Sequence, residues 1–140
     1  MALTDRKLVR QEISALFNGI TEVQENLAYP PLALEGKSPV VWMYGDGTLP
    51  QMLARLSNQF DYFFIITIAI NRQAHGSASE DLLDTIWTKV LQAIRDNVSG
   101  TNYSALEAAT QRSRPIFAKV DGIPYRFEEI PLMARSNISG

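Results

Sequence analysis

The longest regular pattern in the chain runs from Phe60 to Asn71. Its even positions, Phe60, Tyr62, Phe64, Ile66, Ile68 and Ile70, are all apolar, while its odd positions, Asp61, Phe63, Ile65, Thr67, Ala69 and Asn71, are mixed. Alternation of this kind, rich in aromatic and β-branched residues and uninterrupted by Gly or Pro, predicts a long strand. Successive side chains of a strand point to opposite faces, so the even face belongs to a core. The odd face is only partly apolar and is free to meet solvent or a partner.

Helical spacing appears on both sides of this strand. Val9, Ile13, Leu16, Phe17 and Ile20 predict a helix from Leu3 to Asn18, capped by Thr4 or Asp5 and stopped at Asn18-Gly19. Leu83, Ile86, Trp87, Val90, Leu91, Ile94 and Val98 predict a second helix, entered through a capping box at Ser77 and Glu80 and closed by Ser99-Gly100. The even face of the long strand is its expected seat, with Leu83, Ile86 and Val90 as cover.

The intervening segments read less regularly. Tyr29-Pro30-Pro31 requires extended backbone, so Thr21–Ser38 is expected to cross the surface, with a short strand near Ile20–Val23. Pro39–Tyr44 predicts a strand ended by Gly45-Asp46-Gly47, and Leu49–Asn58 a short helical or irregular approach to the long strand. Asn102–Arg114 is ambiguous, with Tyr103, Leu106 and Ala109 fitting either a weak strand or a mobile arm. Asp121-Gly122, set between Ile116–Val120 and Ile123–Phe127, predicts a hairpin. Beyond it Tyr125 and Phe127 are odd but Ile130 and Leu132 even, which predicts a bulge near Glu128-Glu129. Residues 134–140 have little to bury and are expected to form a loosely ordered tail. The expected fold is a single α+β domain over 1–140: a mostly antiparallel sheet of about four strands with two main helices packed on one face.

Composition narrows the function. The 140 residues are 46% hydrophobic, enough for one real core, and the formal net charge of −2 argues against a dedicated nucleic-acid binder. The chain has no cysteine, which excludes disulfides, thiolate catalysis and cysteine-based zinc sites. Met1–Lys7 lacks the apolar core of a signal peptide, and Phe63–Ile70 is far too short to span a bilayer, so a soluble protein without a membrane partner is expected.

The search for chemistry is mostly negative. His75 is the single histidine, in a polar stretch, and reads as a solvated side chain. No serine elbow is present, and Gly45-Asp46-Gly47 lacks the ending of a phosphate loop. Adjacent Glu128 and Glu129 fall on opposite faces of a strand and make a poor acid–base pair. The expectation is a non-enzymatic protein without catalytic, metal or cofactor residues. What remains unexplained is the odd face: Phe63 and Ile65 need a cover, which either segment 21–38 or a neighbouring molecule supplies.

In element order and size the chain resembles the tail-terminator (tail-completion, neck) proteins of long-tailed bacteriophages. The likeness runs through the helix Thr4–Phe17, Tyr29-Pro30-Pro31, the strand Ser38–Tyr44, the long strand Asp61–Asn71, the helix Glu80–Asn97 and the segment Gly122–Leu132. It implies a structural virion protein that forms a ring, usually a hexamer, on the finished tail tube. Such a ring ends tube polymerisation and joins tail to head, with tail tube and head-completion (connector) proteins as partners and, in contractile tails, the sheath protein. DNA passes through the lumen without specific binding. The resemblance also implies residence in the tail or neck of the virion after assembly in the host cytoplasm. Another neck or head-completion protein, or a small cellular oligomeric binding module, are the alternatives.

Physical reasoning places the expected interfaces on exposed segments and unused apolar surface. They are Tyr44 and Asp46 in the loop 44–48; Lys119, Asp121, Ile123, Tyr125 and Arg126 in the hairpin; Met133, Arg135 and Ile138 in the tail; and Phe63 and Ile65 on the odd face. A ring needs two different surfaces on each subunit, because its contacts are heterologous.

Overall fold

The computed structural model describes residues 6–54, 57–108 and 112–139, with backbone alone over 48–54, 57–59 and 137–139. In chain order the elements are α1 (Arg6–Ala15), β1 (Glu25–Leu27), β2 (Val40–Ala54), β3 (Ser57–Asn71), α2 (Arg72–His75), α3 (Ser79–Asp96), β4 (Ala105–Ala108), β5 (Arg114–Val120) and β6 (Ile123–Ser139). The strands form one six-stranded sheet in the order β1-β2-β3-β6-β4, with β5 also paired to β6.

β1 runs parallel to β2, and every other pair is antiparallel. This mixed, six-stranded sheet corrects the expectation of a mostly antiparallel sheet of about four strands. The strands beyond the expected four, β1 and β4, have three and four residues. That is too short to display an alternation. β1 also lies just beyond the expected position at 20–23, where the backbone instead turns through bonds from Ile20 N to Phe17 O and from Val23 N to Ile20 O.

β3 is the middle of the sheet, and its even face is sealed. Tyr62, Phe64, Ile66, Ile68 and Ile70 lie in one buried cluster with Val9, Ile13 and Phe17 of the α1 region and Leu83, Ile86, Val90 and Ile94 of α3. Each fully buried side chain of this size contributes about 1.5–3 kcal/mol relative to exposure. Glu12 ties α1 to the segment after α3, its carboxylate accepting from Thr101 N at 2.8 Å and Asn102 N at 2.8 Å. A Cβ on Gly100 would collide with that carboxylate and with the Tyr103 ring, which explains glycine there better than a helix stop does.

Several local expectations change. β2 does not end at Gly45-Asp46-Gly47. The register shifts between Gly45 and Thr48, and pairing continues to Ala54↔Ser57, so the glycines mark a bulge rather than a terminus. Residues 49–54 and 57–58, expected to be helical or irregular, therefore belong to a long β2–β3 hairpin. The backbone of 134–139 continues β6 along β3, down to Ser57↔Ser139, in place of a loose tail.

After β3, the polar stretch forms α2 at once, because the Asn71 side chain caps it by accepting from Gln73 N at 2.9 Å and Ala74 N at 3.0 Å. The capping box at Ser77 and Glu80 is not formed. Ser79 Oγ donates to Gly76 O at 2.7 Å, and Glu80 instead pairs with Arg126.

The hairpin between β5 and β6 turns through Asp121 (φ 52°) and Gly122 (φ 79°), the two left-handed residues that a type I′ turn demands. The phase slip beyond it involves no bulge, since the β3–β6 register runs unbroken from Asn71↔Tyr125 to Ser57↔Ser139. β6 changes the face it buries instead. Ile130 and Leu132 join the helix-covered core, whereas Tyr125 joins Leu34, Val40 and Ala69 in a second buried cluster on the opposite side of the sheet.

Candidate assembly interface

Antiparallel register fixes which side chains share the odd face of β3. Trp42 and Tyr44 of β2 lie opposite Thr67 and Ile65, while Phe127, Glu129, Pro131 and Met133 of β6 lie opposite Ala69, Thr67, Ile65 and Phe63. At the Ala69 end this face is closed. Leu34 of the segment between β1 and β2 packs on Val40, Ala69 and Tyr125, with Trp42, Ile123 and Phe127 around them. Hydrogen bonds pin the cover: Tyr125 Oη donates to Lys37 O at 2.9 Å, and Asn71 Nδ2 to Gly36 O at 3.0 Å. Ser38 Oγ accepts from Asn71 N at 2.8 Å and lies 3.0 Å from His75 Nε2, so the single histidine is half-buried and tied into the cover rather than solvated.

The cover stops short of the middle of the face. Phe63, Ile65, Tyr44, Trp42, Pro131 and Met133 are all half-buried. Segment 21–38 thus answers for one end only, and an apolar patch spanning β2, β3 and β6 remains accessible. Its polar boundary is well made. Asp61 accepts from Arg135 Nε at 2.8 Å and Nη2 at 3.2 Å, a bidentate pair that raises the guanidinium pKa. Tyr44 Oη donates to Glu129 at 3.2 Å. Burial, followed by the Glu129 charge, pushes the Tyr44 phenol above the usual tyrosine range. Within the patch the Thr67 hydroxyl is buried without a hydrogen-bond partner.

The remaining expected interface residues separate into exposed and internal ones. Asp46 is exposed at the β2 bulge, and Lys119 and Asp121 are exposed on the β5–β6 hairpin. Ile123 is half-buried against the second cluster. Tyr125 is buried, and burial raises its phenol pKa. Arg126 is also buried: its guanidinium donates to Glu80 Oε1 at 2.7 Å, Phe127 O at 2.6 Å and Glu128 Oε2 at 3.2 Å, and it lies 5.1 Å from the Phe117 ring centre. These two bind the hairpin to the body of the subunit. Ile138 pairs with Asn58 through the backbone, and its side chain lies outside the described residues.

Sequence reasoning missed Trp42 and Phe127, whose rings meet edge to face at 6.2 Å between the closed and open parts of the patch. The even-numbered run Val40, Trp42, Tyr44 carried the signal. It became legible only with the β2–β3 register. Among the described residues no group of three or more His, Asp or Glu is placed to hold a metal ion.

No protein-family model and no curated protein matches the chain. Among solved structures, a chain from the virion of a native gene transfer agent particle is similar, with a TM-score of 0.55 and 17% sequence identity. The likeness covers 94% of this chain and 92% of that one. At this identity it shows a shared fold.

Proposed function

We propose that the protein is a structural virion component: a subunit of a ring that caps a phage-type tail tube, ends its polymerisation and joins the tail to the head side. The observation that carries this reading is the end-to-end likeness in fold to a chain of a virion particle. The half-covered sheet face supports it, because a monomer gains nothing from leaving Phe63, Ile65 and Trp42 accessible, whereas a subunit buries them against a neighbour. A net charge of −2 suits a conduit through which DNA slides without being held.

On this reading the partners are further copies of the chain, usually six in a ring, together with tail tube and head-completion proteins and, in a contractile tail, the sheath protein. The site is the tail or neck of a virion assembled in the host cytoplasm. Mass measurement of the purified protein, alone and with tail tubes, tests the proposal. A ring, either free or formed on tube ends, is the expected result. A strict monomer that never binds a tube end overturns it, and a closed twofold pair indicates a binding module instead.

A further inference from the structure

The subunit carries an exposed apolar knob in the segment that covers the odd face of β3 and an apolar groove on the helix-covered side of the sheet. The knob is the tip of the segment between β1 and β2. Leu32 there is fully exposed and Tyr29 largely so, which is unusual for two large apolar side chains in one short stretch. The tip is nevertheless held in place. Ala28 O accepts from Arg10 Nε at 2.7 Å on one side, and Leu34 is buried on the other. Pro30 and Pro31 between them restrict the backbone, so little conformational entropy is left to lose when Leu32 is grasped.

The groove lies between α3 and β4, the edge strand at the far side of the sheet from β1. It has a volume of about 460 Å³ and an apolar floor that includes Trp87, Leu91, Val98 and Leu106. Val98 is 55% exposed and Trp87 37% exposed, so two large apolar side chains of the groove wall are in water. Glu35 is exposed beside the knob and Arg95 is exposed at the groove, and neither has an ion-pair partner among the described residues; Glu107, the acidic side chain of the same groove lining, lies in the field of Arg135.

A subunit with complementary knob and groove on different surfaces makes head-to-tail contacts, which close into a ring when the rotation permits. We infer that the Leu32 loop of one copy inserts into the α3–β4 groove of the next, with Glu35 facing Arg95. This deepens the ring reading and rests on it. The knob sits beside the second buried cluster, so the half-covered sheet face and the loop belong to one side of the contact, and the groove to the other.

Two variants test the inference: Leu32→Asp, which spoils only the knob, and Val98→Asp, which spoils only the groove. Both positions are exposed in the single subunit, so thermal unfolding of each variant should match the unaltered chain. Native mass measurement is made on each protein alone and in the presence of tail tubes. Each variant alone should remain monomeric and stay off tube ends at concentrations where the unaltered chain forms rings, with the midpoint raised at least about tenfold, or about 1.4 kcal/mol.

Mixed in equal amounts, the two variants should give a heterodimer and nothing larger, because the pair retains one intact knob–groove contact. Rings that persist in either variant overturn the knob-and-groove contact while leaving the ring reading intact. A variant mixture that stays wholly monomeric also overturns it. An unaltered chain that neither oligomerises nor binds tube ends defeats the ring reading itself.

Discussion

The two faces of β3 are built from the same fifteen-residue strand and have opposite fates. The even face is apolar at every turn of the pleat from Phe60 to Ile70 and lies beneath two helices. The odd face is closed at Ala69, half-open at Ile65 and Phe63, and bounded by the Asp61–Arg135 pair. One face holds the fold together. The other has more apolar surface than the subunit itself covers, and that surplus is the physical basis for reading the protein as an assembly component.

Truncation at neighbouring positions separates the faces most sharply. Phe64 is fully buried, and Phe64→Ala should cost about 3–5 kcal/mol of folding stability. Phe63→Ala, one residue away on the half-covered face, should cost less than half of that. Urea unfolding of the two variants measures the difference directly, and equal losses would erase the distinction between the faces.

A smaller effect is expected at the closed end of the odd face. Tyr125→Phe removes the hydrogen bond to Lys37 O and should cost about 1 kcal/mol near neutral pH. Burial holds the Tyr125 phenol protonated in the folded protein, whereas in the unfolded chain it ionises near pH 10. Stability should therefore fall as pH rises above about 10, with protons released on unfolding, until the folded phenol itself ionises. The phenylalanine variant should show a shallower fall in melting temperature over the same range. Tyr44 and Tyr103, also shifted upward, add to the fall in the same sense.

Thr67 offers a prediction of the opposite sign. Its hydroxyl is buried without a partner, so Thr67→Val removes a desolvated polar group at little change in shape and should gain about 1 kcal/mol. Calorimetric melting checks this. A loss of stability would mean that the hydroxyl is satisfied in solution.

Much of this arrangement is legible in the amino-acid pattern alone. The alternation in Phe60–Asn71, the helical stripes that begin at Val9 and Leu83, and the Asp121-Gly122 turn are local signals, and each lies in an element of the expected type. The helices nevertheless stop at Ala15 and Asp96, short of the last apolar positions. What failed depended on distant partners. β1 and β4 are strands only because β2 and β6 accept them, and the β2 bulge looks like a chain break until the strand beyond it is seen to pair with β3. Arg126 has the sequence context of an exposed hairpin charge, yet Glu80, distant in sequence, draws it inside. In the candidate interface, Phe63 and Ile65 were legible from their own strand. Leu32 and the α3–β4 groove stand out only through their exposure in the folded chain.

On the ring reading, the half-covered face is buried by assembly and not by the subunit. Ile65→Lys addresses it directly, because the long lysine stem can lie along the patch while its charge reaches water. Mass measurement of this variant beside the unaltered chain, free and with tail tubes, is the decisive comparison. The expected result is a folded monomer with nearly unchanged melting temperature that fails to form rings or to cap tube ends. Rings of unchanged mass and stability from Ile65→Lys would contradict it.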